Sequence, residues 1–79
     1  MIGEFVKLTH EWTAQRPDTE EFYRIPPGTI MLVYSKSGPL LRGIVAHGSH
    51  RGYDVTPINA SEVVKASVRE VIERRAEEN

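Results

Sequence analysis

The sequence predicts a small α+β domain, an antiparallel sheet of three to four strands covered by one C-terminal helix. Three observations carry that prediction. Residues 25–58 hold three β-favouring runs, Ile30 to Tyr34, Leu40 to His47 and Tyr53 to Ile58. Ser37-Gly38-Pro39 breaks the chain after the first run and Gly48 to Gly52 after the second, and connections this short favour antiparallel neighbours, because a parallel pair needs a crossover of about a dozen residues. Beyond the runs, Val64, Val68, Val71 and Ile72 recur at i, i+4, i+7 and i+8, one apolar stripe of a helix.

In chain order, Phe5 to Trp12 fits two patterns. As a strand it puts Val6, Leu8, His10 and Trp12 on one face; as a helix it puts Phe5, Leu8 and Trp12 together. Thr9 and Thr13 favour the strand. Pro17-Asp18-Thr19-Glu20-Glu21 has the spacing of a helix start, with Asp18 as cap and Glu21 three positions on. Pro26-Pro27 would end that helix within two turns, with Phe22 and Ile25 packing inward. An extended edge segment, Glu21 to Ile25, is the alternative.

The run Ile30 to Tyr34 is apolar on both faces, as in a strand covered twice. One helix covers one face. The other needs the N-terminal segment, curling of the sheet into a barrel, or a second protein, which predicts a homodimer. Gly43 inside the second run marks a bulge or sharp bend, and Pro57 belongs at an edge or at a strand's end. Asn59 with Glu62 three residues later is a capping box opening the C-terminal helix, with Ile72 in its core stripe. The rival arrangement makes residues 63–67 a last barrel strand, with helix only from Val68.

A chain of 79 residues has room for one domain, residues 1–79, and one core. It contains no cysteine, so disulfides and thiolate metal sites are impossible. Met1 to Thr13 lacks the pattern of a secretory signal, and no apolar run approaches the roughly 18 residues that span a bilayer. A cytoplasmic protein without membrane contact is expected. Net charge is −1, which argues against a general polyanion binder. The charge is uneven. Residues 36–59 carry Lys36, Arg42 and Arg51 against Asp54, while the segments on either side are net acidic.

Candidate sites concentrate in that basic segment. His47-Gly48-Ser49-His50 is the nearest approach to a metal pair, but zinc needs three or four convergent ligands, so no metal and no cofactor are expected. His47, Ser49, His50 and Asp54 contain the residue types of a hydrolytic triad on a hairpin too short to orient them, and no enzyme is expected. Pro26-Pro27-Gly28 and Ser37-Gly38-Pro39 lack the spacing of phosphate loops. Arg42, His47, His50, Arg51 and Tyr53 remain as a basic, partly aromatic edge. Arginine and tyrosine dominate protein contacts, so the first expectation is a partner-binding site for another protein. The alternative is a nucleic-acid contact, with phosphates on the basic groups and a base stacked on Tyr53.

The succession of a Gly-Pro turn, a strand with L-R-G-I-V, a polar hairpin, Y-D-V-T-P-I and N-A-S-E-V resembles the rhythm of small SH3-like barrels over about half the chain. That resemblance implies a half-barrel sheet and no particular function. The composite expectation is a small adaptor or inhibitor that binds another protein, of the kind phage and mobile elements encode, with a small nucleic-acid-binding regulator as the alternative.

Overall fold

The computed structural model describes residues 2–78. Seven strands form one antiparallel sheet: β1 Phe5–Leu8, β2 Trp12–Gln15, β3 Phe22–Ile25, β4 Ile30–Ser37, β5 Leu40–Val45, β6 Asp54–Asn59 and β7 Val63–Ala66. Their order across the sheet is β3-β2-β6-β5-β4-β1-β7. A 3₁₀ turn, Ala60–Glu62, joins β6 to β7, and one helix, α1, spans Val68–Glu77. The expected sheet of three to four strands is therefore too small. The meander β4-β5-β6 is its centre, and four short strands extend it on both sides.

The four short strands were only partly legible, for local reasons. Phe5 to Trp12 is not one element, because the chain bends at Thr9-His10 and Trp12 opens a second strand. Pro17 to Glu21 is not a helix start but the turn of the β2–β3 hairpin. Asp18 sits there at φ 61°, a conformation acidic side chains tolerate, and the Arg16 N–H donates to the Glu21 carbonyl at 2.9 Å. The extended alternative for 21–25 holds, with Ile25 buried and Phe22 exposed rather than inward. Asn59 caps only the 3₁₀ turn, accepting from the Ser61 N–H at 3.0 Å. The true helix cap is Ser67, whose hydroxyl accepts from the Glu70 N–H at 3.1 Å. Of the two arrangements for 63–67, the strand is the one that forms.

Curling follows from two bulges. Pairing of β4 with β5 shifts register between Val33 and Ser35, and pairing of β5 with β6 shifts between Leu41 and Gly43. Both irregularities flank Gly43. A Cβ on that residue would press on the Leu32 backbone, with its carbonyl carbon at 3.0 Å, and on Met31 Cε at 3.1 Å. Only glycine lets β4 approach this closely. The sheet then closes over one core to which six strands contribute, among them Val6, Ala14, Ile25, Met31, Leu41 and Val55. Strands β3 and β7 form its two ends, so the barrel is a half-barrel.

Helix α1 covers only part of the sheet. It lies on the convex side along a single cross-strand row. Lys7, on β1, pairs with Glu70 at 3.1 Å. Val71 packs with Ile30, Ala46 and Ala66, and Arg75 Nε donates to the Ala46 carbonyl at 3.0 Å. Of the predicted stripe only Val71 is buried; Val68 and Ile72 are 61% and 62% exposed. Both faces of β4 thus find apolar neighbours in the chain itself: Met31 and Val33 inside the barrel, Ile30 beneath α1. No helix among the described residues is long and apolar enough to cross a membrane.

Candidate functional site

Alternation along β5 and the turn that follows it place the five predicted contact residues in three settings, two of which adjoin, since His47 and His50 line one cavity with Ile25, Pro26 and Thr29.

His47 is turned inward. Its side chain is 13% exposed, and its Nε2 accepts the Ile30 N–H at 3.0 Å. Accepting at Nε2 requires a neutral ring with its proton on Nδ1, which lies 3.9 Å from Glu78. Burial lowers the pKa of this ring below its usual value, Arg74 adds to the effect, and Glu78 opposes it. The Gly48 N–H also donates to Glu78, so the end of α1 is tied to the start of the turn at two points.

His50 and Tyr53 belong to an aromatic cluster at one end of the barrel. The His50 ring meets Tyr53 edge-on at 5.1 Å between centroids, and both rings contact Tyr23 of β3, at 5.8 and 5.5 Å. The Tyr23 hydroxyl donates to Glu21 at 2.7 Å, and this bond is the first cause that raises its pKa. The cluster's edge is therefore acidic. Nothing in the hairpin sequence indicated Tyr23, because β3 arrives there only through pairing with β2.

Arg42 and Arg51 lie on the convex side. Arg42 sits 3.7 Å from Asp54 and 5.9 Å above the Tyr34 ring. The Tyr34 hydroxyl donates to the same carboxylate at 2.8 Å, and burial followed by this bond raises the Tyr34 pKa. Arg51 is exposed, and among the described residues its side chain has no ion pair. It borders a groove of about 250 Å³ with Phe5, Leu32, Ile44 and Arg75.

The strand register explains that groove. Phe5 lies opposite Leu32, and Leu32 opposite Ile44. Their side chains form one apolar row across β1, β4 and β5 on the convex side, continued by Asp54 opposite Ile44 on β6. The neighbouring row, Lys7, Ile30 and Ala46, is the one α1 occupies. The Phe5-Leu32-Ile44 row runs beside the helix; Phe5 packs against the cluster beneath α1 and is half-buried like Leu32, while Ile44 is 37% exposed. The alternation of Leu40, Arg42, Ile44 and Ala46 along β5 is the signal of that face present in the sequence. Phe5, Leu32 and Arg75 reach it only through long-range pairing.

The triad types do not converge. His47 Nε2 is engaged by the Ile30 N–H, and Asp54 by Tyr34 and Arg42. Among the described residues no group of three histidine, aspartate or glutamate side chains is placed to hold a metal ion. Comparison with protein-family models gives no match, and comparisons with curated proteins and with solved structures give no significant match either.

Proposed function

We propose that this domain is a protein-binding module, an adaptor or inhibitor, and that its contact surface is the convex groove beside α1. One observation carries the proposal. An apolar row, half-buried at Phe5 and Leu32 and exposed at Ile44, lies next to a helix that itself exposes Val68 and Ile72. Contiguous open apolar surface rimmed by polar groups is the mark of a protein contact. Arginine at the rim suits this role, because its planar group binds carboxylates in pairs of hydrogen bonds.

Nucleic acid is the less supported partner. Tyr23, His50 and Tyr53 pack on one another beside Glu21, and the exposed Tyr34 ring is engaged by Arg42 and by Asp54. A phosphate-binding track needs basic and aromatic groups interleaved on one path.

Site-specific photo-crosslinking in the source cell tests the proposal. Ile44 is replaced by p-benzoylphenylalanine, and in a control Arg69, exposed on the far side of α1, is replaced instead. A discrete protein adduct at position 44 and none at position 69 is expected. Adducts to nucleic acid alone, or equal labelling at both positions, would remove the groove as the site.

A further inference from the structure

We infer that α1 is a detachable strap, plugged into an open rung of the sheet, and that His47 is the pH-sensitive latch that holds it there. The device is internal to the chain and does not depend on what the groove binds.

The rung lies where β4 meets the end of β5. In an antiparallel ladder, opposite residues at alternate positions exchange two backbone bonds. Ile30 and Ala46 come next in register after Met31 and Val45, and they make one of the two: the Ala46 N–H donates to the Ile30 carbonyl at 2.9 Å. The return bond is opened. The Ile30 N–H donates instead to His47 Nε2 at 3.0 Å, and the Ala46 carbonyl accepts from Arg75 Nε at 3.0 Å. One half of the open rung is thus filled by a side chain of the β5–β6 turn and the other by a side chain of α1. The two backbone groups already stand opposite each other, so closing the rung would satisfy both without either side chain. Two arrangements therefore keep these buried groups paired, one with α1 docked and one with α1 released.

The helix is held by tethers more than by a core. It has 10 residues, and in water a helix shorter than about 12–15 is marginal alone. Val71 is its one buried side chain, and the other ties are polar: Glu70 to Lys7, Arg75 to Ala46, and Glu78 to the Gly48 N–H. Local opening draws on segments with few buried apolar contacts, and α1 is such a segment beside a barrel core built from six strands. Release uncovers Ile30, Ala46 and Ala66 and takes Arg75 from the edge of the groove, so the strap sets the extent of the convex apolar surface. His47 makes this depend on pH. An imidazolium carries N–H donors on both nitrogens, so it cannot accept from Ile30 and must turn out of its seat. Charged groups surround the ring unevenly. Helix α1 presents Arg74, Arg75, Glu77 and Glu78, the turn presents His50, and Ile25, Pro26 and Thr29 on the third side do not titrate. The glutamates favour an imidazolium, but burial and the arginines prevail against it. Release removes the four α1 charges and part of the ring's cover. The ring then titrates nearer its ordinary value, so acid favours release.

The test uses the full chain, isotope-labelled. Amide exchange with solvent is followed by NMR between about pH 7.5 and about pH 5.5 and expressed as protection factors, which divide out the intrinsic pH dependence of exchange. At the upper pH the α1 amides Ile72 to Glu77 are expected to be at least about 10-fold less protected than Leu32 and Ile44 in the barrel. Towards the lower pH, α1 should lose protection by about 10-fold per pH unit at most, the limit for one proton, while the barrel keeps its own. The Ile30 amide should stay protected, because the rung closes, but its shift should move with the midpoint of the His47 ring. In His47→Gln, protection of α1 should be the same at both ends of the range. Equal protection in α1 and the barrel would overturn the strap, since α1 would then open only with the whole domain. An α1 opening that ignores pH, or a pH dependence that persists in His47→Gln, would overturn the latch. The parent decides the matter even if that variant does not fold: a midpoint of α1 opening shared with the ring of His10 or His50, and not with His47, would overturn the latch as well.

Discussion

At the scale of single residues, Gly43 and His47 are the positions where one side chain decides most. Gly43→Ala puts a methyl group against the backbone of β4 at the point where both neighbouring strands bulge. Backbone cannot swing aside as a side chain can, so a loss of about 1–3 kcal/mol is expected, read from denaturant melts. Gly38→Ala meets no neighbour and serves as the contrast, its cost arising from a φ of 60° alone. His47 makes stability depend on pH in a stated direction. Its pKa is lowered on folding, so near its ordinary value of 6.5 the unfolded chain binds more protons. The contribution is complete above about pH 6.5 and is lost as pH falls through the folded value, where protonation removes the acceptor for the Ile30 N–H. The groups facing the ring bear on its size, Arg74, Arg75, Glu77 and Glu78 of α1. His47→Gln keeps an acceptor without a titrating ring. Denaturation midpoints at about pH 7.5 and about pH 5.5 should differ less in that variant than in the parent, with His10 and His50 common to both. An unchanged difference would assign the pH dependence to other groups.

At the scale of elements, α1 separates two effects that its sequence pattern merges. Val71 is 2% exposed beneath the helix, and Val71→Ala should cost about 2 kcal/mol from two buried methyl equivalents. Ile72 was expected to face the core and to cost several kcal/mol when cut to alanine. Its 62% exposure corrects this, and Ile72→Ala should cost less than about 0.5 kcal/mol. Melts of the two variants side by side distinguish the arrangements. Ser67→Ala removes the cap that the Glu70 N–H uses and should cost about 1 kcal/mol, whereas Asn59→Ala affects only the three-residue 3₁₀ turn.

At the scale of the whole molecule, the need for outside cover at β4 has gone. Curling buries Met31 and Val33, and α1 buries Ile30. The adjacent row is half-buried at Phe5 and Leu32 and exposed at Ile44. A monomer is expected by sedimentation at high micromolar concentration, and a concentration-dependent dimer would point to a contact elsewhere, such as the ends β3 and β7. Binding at the groove should weaken only modestly with salt, because most of its lining is apolar. A steep salt dependence would instead indicate release of counterions from a nucleic acid.

By itself the sequence determined the central meander, its antiparallel sense, the bend at Gly43 and the presence of a C-terminal helix. The first three are encoded within a few neighbouring residues, turn residues at Ser37 to Pro39 and Gly48 to Gly52 and β-branched runs between them; the stripe Val64, Val68, Val71 and Ile72 marked a helix but not its packing, since Val64 lies in β7 and only Val71 is buried. Tertiary structure decided the rest. Strands β2 and β3 are four residues each, too short for a periodic signal, and they exist because Ala14 finds Tyr23 on one side and Val55 on the other. Asn59 and Ser67 are equally good caps in isolation. Pairing of β7 with β1 extends the sheet through Val63 to Ala66 and moves the helix start to the second of them. The site was legible only as arginines near a glycine hairpin. Its apolar floor comes from three strands whose side chains meet through cross-strand register, and Phe5 lies 39 residues from Ile44 in a chain of 79. Local pattern cannot carry that information, because register is set by which face the curled sheet buries.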